Sequence, residues 1–120
     1  MKSIKETRII AHRGLSGTYP ENTMLAFEKA LECGADMLEL DVTFTADRAI
    51  VVIHDDTVDR TSNGHGSLLE LESSYVRSLD AGSWKSPAFS DVRIPLLAEV
   101  LEYFGRRIPV NIEIKPESVE

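Results

Sequence analysis

The chain has 120 residues, 20 Asp plus Glu against 13 Lys plus Arg, a formal charge of −7, 42% hydrophobic residues and one cysteine. A chain of this length buries roughly two-thirds of the surface its unfolded form exposes, so one soluble domain over residues 1–120 is expected without disulfide or metal staples. The acidic balance argues against a nucleic-acid partner, whose affinity comes from Lys and Arg on phosphates, and no apolar run approaches the roughly 20 residues of a membrane span, so no stable membrane insertion is expected.

Met1 to Thr7 lacks the apolar run of a signal peptide and Cys33 has no second cysteine to pair with, which makes a reducing cytoplasm the expected compartment. The runs Arg8–His12, Met37–Val42, Ala49–His54 and Val110–Lys115 are rich in Ile and Val and read as strands covered on both faces, the signature of a parallel sheet. Between the first two lies a helix, with Asn22 as its N-cap, Phe27, Ala30 and Leu31 on one face and Gly34 at its end. Cys33, near that end, is expected to be a buried apolar filler. Residues 55–94 form a long, partly ordered excursion in which only Leu71 to Leu79 looks helical. A second helix follows Pro95, with Leu97, Val100, Leu101 and Phe104 at helical spacing and Gly105 as its stop. Strands alternating with helices place the chain in the α/β class, as an open doubly wound sheet or part of a (β/α) barrel. An eight-stranded barrel needs about 250 residues, so this chain holds material for about half of one.

Glu39 and Asp41 stand at i and i+2 of a strand, on one face and about 6.6 Å apart along the backbone, and Glu113 and Lys115 do likewise on the fourth strand. Two readings are open. The carboxylates converge on a hard divalent cation, which all-oxygen ligation selects over zinc, or each pairs with Lys115 or a rim arginine. His12 and His54 each close an apolar strand, where barrel active sites gather, and two imidazoles there offer an acid and a base. The alternative is a pair of histidines hydrogen-bonded at strand ends for structural reasons. Arg13 presents a planar fork for phosphate oxygens beside Gly14, which permits close backbone approach. His65 lies among glycines and reads as a solvated loop residue.

Taken in order, His12-Arg13-Gly14, Pro20-Glu21-Asn22-Thr23, Gly34-Ala35-Asp36, Glu39-Leu40-Asp41-Val42, His54-Asp55, Arg60-Thr61, Leu79-Asp80-Ala81-Gly82 with Trp84, Ile94-Pro95 and Glu113-Ile114-Lys115 resemble the amino-terminal half of a glycerophosphodiester phosphodiesterase. The resemblance covers nearly the whole chain. It implies a (β/α)8 TIM-type barrel of which this chain supplies the first half, as four parallel strands with intervening helices. It also implies hydrolysis of glycerophosphodiesters to sn-glycerol 3-phosphate and an alcohol with a divalent metal, Mg²⁺ or Ca²⁺. Glu39, Asp41 and Glu113 match the metal ligands, His12 and His54 the acid/base pair, and Arg13 and Lys115 the phosphate contacts. The sequence departs from the family at Arg48, where a turn glycine is usual, at Ser62, where the family tends to Thr, and at Leu96, where Thr often follows Ile-Pro. Either a carboxy-terminal half follows Glu120, or a half barrel with open edges closes as a homodimer or dissolves poorly. Competing readings are a phosphodiesterase of the same barrel type acting on phospholipids, and an inactive half barrel serving as a binding module.

Overall fold

The computed structural model describes residues 8–114. Four strands form one sheet: β1 (Ile10–His12), β2 (Met37–Phe44), β3 (Ile50–Val52) and β4 (Val110–Ile114). The helices are α1 (Met24–Glu32), α2 (Ser73–Ser78) and α3 (Leu97–Phe104), with single 3-10 turns at Leu68–Glu70 and Pro87–Phe89. β2 is the axis of the sheet. β1 runs parallel to it, Ile10 opposite Met37 and His12 opposite Glu39. β4 runs parallel along its other edge, Leu38 opposite Val110 and Asp41 opposite Glu113.

β3 is antiparallel to β2, with Val42 opposite Val52 and Phe44 opposite Ile50, which corrects the expectation that all four strands run parallel. The reason is the length of the connection. Only residues 45–49 separate the two strands, whereas a parallel crossover needs a dozen residues or more. Thr45 accepts the Arg48 N–H through its carbonyl and the Ala49 N–H through its hydroxyl, both at 3.0 Å, and Arg48 adopts the left-handed φ of 71° that closes the turn.

α1 is capped by Thr23, whose hydroxyl accepts the Ala26 N–H at 3.2 Å, so the expected cap at Asn22 is displaced by one residue. Gly34, at φ 88°, ends the helix as expected. Cys33 is exposed rather than buried. It is the C-cap, past the last helical turn, with its N–H committed to the last helical carbonyls. The sequence pattern of α3 is also met: Val100 and Phe104 are fully buried, while Leu101 at 39% exposure lies at the edge of the apolar face. Gly105 stays right-handed at φ −59°.

Two apolar clusters result. Leu38, Leu40 and Val42 of β2 pack with Phe27, Ala30, Val100, Phe104 and Ile108. Val51 and Ile53 pack with Val58, Leu68, Val76, Leu79, Ala81 and Ile94. Successive side chains of a strand point to opposite faces, so β3 gives Val52 to the first cluster and its neighbours to the second. The excursion after β3 is thereby a packed layer with its own core. No helix among the described residues is long and apolar enough to cross a membrane.

Candidate active site

With Leu38, Leu40 and Val42 turned to the helices, Glu39 and Asp41 project from the opposite face of β2. Register then decides their neighbours. His12 is the cross-strand partner of Glu39 and Glu113 that of Asp41, so His12, Glu39, Asp41 and Glu113 share one face. The loops on either side are pinned to the same two residues: Arg13 N–H donates to the Glu39 carbonyl at 2.7 Å, and Ile53 N–H to the Asp41 carbonyl at 2.9 Å. The second bond brings His54 to this level of the sheet. It arrives on the returning arm of a hairpin, by a different route from His12, which closes a parallel strand.

The charged groups are paired with one another. His12 Nε2 lies 3.1 Å from Glu39 Oε1, and Arg13 Nε 3.4 Å from Asp41 Oδ2. Asn22, 3% exposed and at a left-handed φ of 56°, donates from Nδ2 to Asp41 Oδ2 at 3.0 Å. The left-handed backbone, rare outside glycine but tolerated by Asn, aims the amide at the carboxylate in place of capping α1. Gly14, at φ 81°, passes so close to α1 that a Cβ there would lie 2.7 Å from the Ala26 Cβ and 2.8 Å from its carbonyl carbon. That contact holds the loop bearing Arg13 against the helix.

A second set of contacts runs from Arg13 to His54. Glu21 accepts from Arg13 Nη1 at 3.3 Å and from Arg60 at 3.2 and 2.9 Å. Arg60 also binds both oxygens of Asp55, which lies 2.8 Å from His54 Nδ1. Hydrogen bonds from Arg60, first, and then from His54 hold the Asp55 carboxyl well below the usual carboxylate range. The bonds to Asp55, and after them those to Glu21, push the Arg60 guanidinium up. Spacing gave no sign of Asn22, Asp55 or Arg60 as site groups, because their roles rest on an unusual backbone angle, on the bend after β3 and on a contact 39 positions apart. The tip of the excursion closes over the loop after His12, with Lys85 Nζ donating to the Ser16 carbonyl at 3.0 Å and the Tyr19 and Phe89 rings 5.5 Å apart. His65 is a solvated loop residue paired with Asp59, as expected. Lys115 lies outside the described residues.

Among the described residues no set of three or more His, Cys, Asp or Glu side chains converges closely enough to hold a metal ion. Glu39 is turned to His12, and Asp41 to Arg13 and Asn22. The donors fit a hard cation in kind and in placement: three carboxylates share one face, two of them at facing register positions, and the buried Asn22 Oδ1 beside them has no donor.

Residues 12–120 match the glycerophosphoryl diester phosphodiesterase family. The chain belongs to that family. It is 50% identical over 111 residues to the glycerophosphodiester phosphodiesterase of Caldanaerobacter subterraneus subsp. tengcongensis, covering 92% of this chain and 46% of the relative. To the Bacillus subtilis protein YhdW it is 54% identical over 107 residues, covering 89% of this chain and 44% of that one. The crystal structure of the Agrobacterium tumefaciens glycerophosphodiester phosphodiesterase superposes with a TM-score of 0.88 at 44% identity, over 90% of this chain and 47% of that chain. An Oleispira antarctica phosphodiesterase, solved in complex with the product sn-glycerol-3-phosphate, superposes at 0.87 with 36% identity, over 91% of this chain and 44% of that chain. The fold is that of the TIM-barrel enzymes of this family, represented in part. The chain spans about half the length of the relatives it matches.

Proposed function

We propose that this chain carries the acid–base and metal-binding half of a barrel domain that hydrolyses glycerophosphodiesters to sn-glycerol 3-phosphate and an alcohol. The observation that carries the reading is register: His12, Glu39, Asp41 and Glu113 occupy one face of the sheet, with Arg13 and Ile53, the residue before His54, pinned beside them by main-chain bonds to β2. Family membership supports the same chemistry.

Glu39, Asp41 and Glu113 would hold Mg²⁺ or Ca²⁺, which when bound supplies charge neutralisation at a phosphoryl oxygen. Arg13 and Lys115 bring positive charge to the phosphate, Arg13 as a fork that can exchange Asp41 and Glu21 for phosphate oxygens. His12 and His54 divide the proton traffic, one accepting from the attacking hydroxyl and the other donating to the departing alkoxide. The attacking group we favour is the substrate's own neighbouring hydroxyl, since tethering raises its effective concentration; its attack expels the alcohol and leaves a cyclic phosphate, which water then opens to sn-glycerol 3-phosphate with the two histidines exchanging roles. Equal turnover of a diester lacking that hydroxyl would remove the case for it.

Hydrolysis of glycerophosphocholine by the chain tests the reading. His12→Ala and His54→Ala should each lower kcat by roughly 100-fold or more, the range expected for general acid–base groups, and EDTA should abolish turnover until Mg²⁺ or Ca²⁺ is restored. Undiminished turnover in both variants would refute the acid–base assignment, and ligand binding with no turnover would leave a binding module instead.

A further inference from the structure

His54 does not stand alone at the end of β3. The chain bends through residues 54–56, which turns two side chains adjacent in sequence toward each other, His54 Nδ1 and Asp55 Oδ1 at 2.8 Å. Arg60 takes the same carboxylate with Nε on Oδ2 at 2.9 Å and Nη2 on Oδ1 at 3.0 Å. Its other face reaches 39 positions back, Nη1 and Nη2 donating to Glu21 Oε1 and Oε2 at 3.2 and 2.9 Å. One guanidinium thus grips two carboxylates, each through both oxygens, a geometry its planar fork allows and an ammonium does not. Isolated surface ion pairs are worth little. Here Glu21 is only 10% exposed, and it is itself held by Arg13 in the loop after His12.

An ionised carboxylate offers acceptors only, so the imidazole nitrogen facing Asp55 must be the one that carries hydrogen. The other nitrogen, Nε2, is then left with a lone pair. We propose that Asp55 and Arg60 are positioning residues: Asp55 fixes His54 as the Nδ1–H tautomer with Nε2 free to take a proton, and Arg60 clamps Asp55 by tying it to Glu21. The proposal rests on the assignment of His54 to proton transfer made above. It adds the reason why that histidine presents one particular nitrogen, and it makes the loop after His12 and the loop after His54 a single mechanical unit.

Long-range proton–nitrogen NMR of the chain labelled with ¹⁵N-histidine, at a pH where imidazoles are neutral, reads the tautomer directly, with the His54 signals assigned by their loss in His54→Gln. The wild type should show Nδ1 protonated. Asp55→Ala should shift His54 toward the Nε2–H form that unconstrained imidazoles favour, and Arg60→Gln should move the population the same way by less. In glycerophosphocholine hydrolysis, Asp55→Ala should lower kcat roughly 10- to 100-fold, the usual scale for a group that orients a functional ligand, with KM little changed. Nε2 protonated in the wild type, or a tautomer indifferent to Asp55→Ala, overturns the proposal. If Asp55→Ala fails to fold, the wild-type spectrum and Arg60→Gln still decide it. A chain without hydrolytic activity but with the expected tautomer shift would refute the proposed reaction and leave the Asp55–His54 assignment standing.

Discussion

At the scale of single residues, Asn22 joins backbone conformation to site electrostatics. It spends a left-handed φ of 56° to place its amide 3.0 Å from a nearly buried carboxylate. Asn22→Ala removes a hydrogen bond to a charged acceptor, worth roughly 1.5–3 kcal/mol, and puts a side chain with no local hydrogen bond into the left-handed region at about 1–2 kcal/mol. We therefore expect a loss of about 2.5–5 kcal/mol in urea unfolding, and a smaller loss for Asn22→Gly, which keeps the backbone freedom and drops only the amide. Equal losses for the two variants would assign the whole effect to the hydrogen bond, and a loss below about 1 kcal/mol for Asn22→Ala would contradict the role argued here. The sequence marked this position correctly as special and misassigned the reason. Asn is favoured both at N-caps and at left-handed positions, and only the neighbouring Thr23 hydroxyl, already on the Ala26 N–H, separates the two.

At the scale of elements, the hairpin between β2 and β3 delivers His54, and two of its turn residues make opposite contributions. Arg48 holds φ 71° without a side-chain bond that requires it, at the position where the sequence departs from a turn glycine. Arg48→Gly should raise stability by about 1 kcal/mol, the left-handed cost relieved less the entropy glycine gains on unfolding, measured as a higher urea midpoint at constant m. An unchanged or lower midpoint would show that the turn carries no strain. Asp47 does the reverse. It ties the turn to the start of α2, accepting the Ser73 hydroxyl at 2.6 Å and the Ser73 N–H at 2.9 Å, with the Thr45 hydroxyl at 2.6 Å. The Ser73 hydroxyl above all, then that of Thr45, lowers its carboxyl from 3.8 to about 2. A folded-state value below the unfolded one means stabilisation present above 3.8 and lost as pH falls toward 2. Asp47→Asn should accordingly flatten the acid limb of the stability curve in that window, and a wild-type limb unchanged by the substitution would sink the assignment.

At the scale of the whole molecule, β1 and β4 each pair only with β2 among the described residues, so both outer edges of the sheet present unpaired main-chain groups. The side chains there are apolar as well: Ile9, Ile10 and Ile114 are 51%, 54% and 56% exposed. Such edges template further strand pairing. The 120-residue chain, expressed by itself, should therefore self-associate at micromolar concentration in sedimentation velocity, as a dimer joined edge to edge or as larger species. A single monomeric boundary across that range would show that these edges are protected. The excursion between β3 and α3 belongs to the same scale, because its order comes from long-range burial. Val58 and Leu68 are fully buried although no local periodicity marks their part of the segment, because its core is assembled from scattered single residues against β3.

The amino-acid sequence alone determined which residues face together on a strand, since a side-chain period of two is a property of the backbone. Glu39 with Asp41, and the apolar triplet Leu38, Leu40, Val42 opposed to them, follow from that period and are seen as expected. It also determined the two amphipathic helices and, through an ordered series of motifs, the family. The tertiary structure decided the direction of β3, set by a connection too short to cross over, and the exposure of Cys33. It decided too which cation meets which carboxylate: Arg13 on Asp41, and Arg60 between Glu21 and Asp55. Those pairings depend on where loops lie after the core has closed, and Coulomb attraction, having no periodicity, leaves no trace in residue spacing.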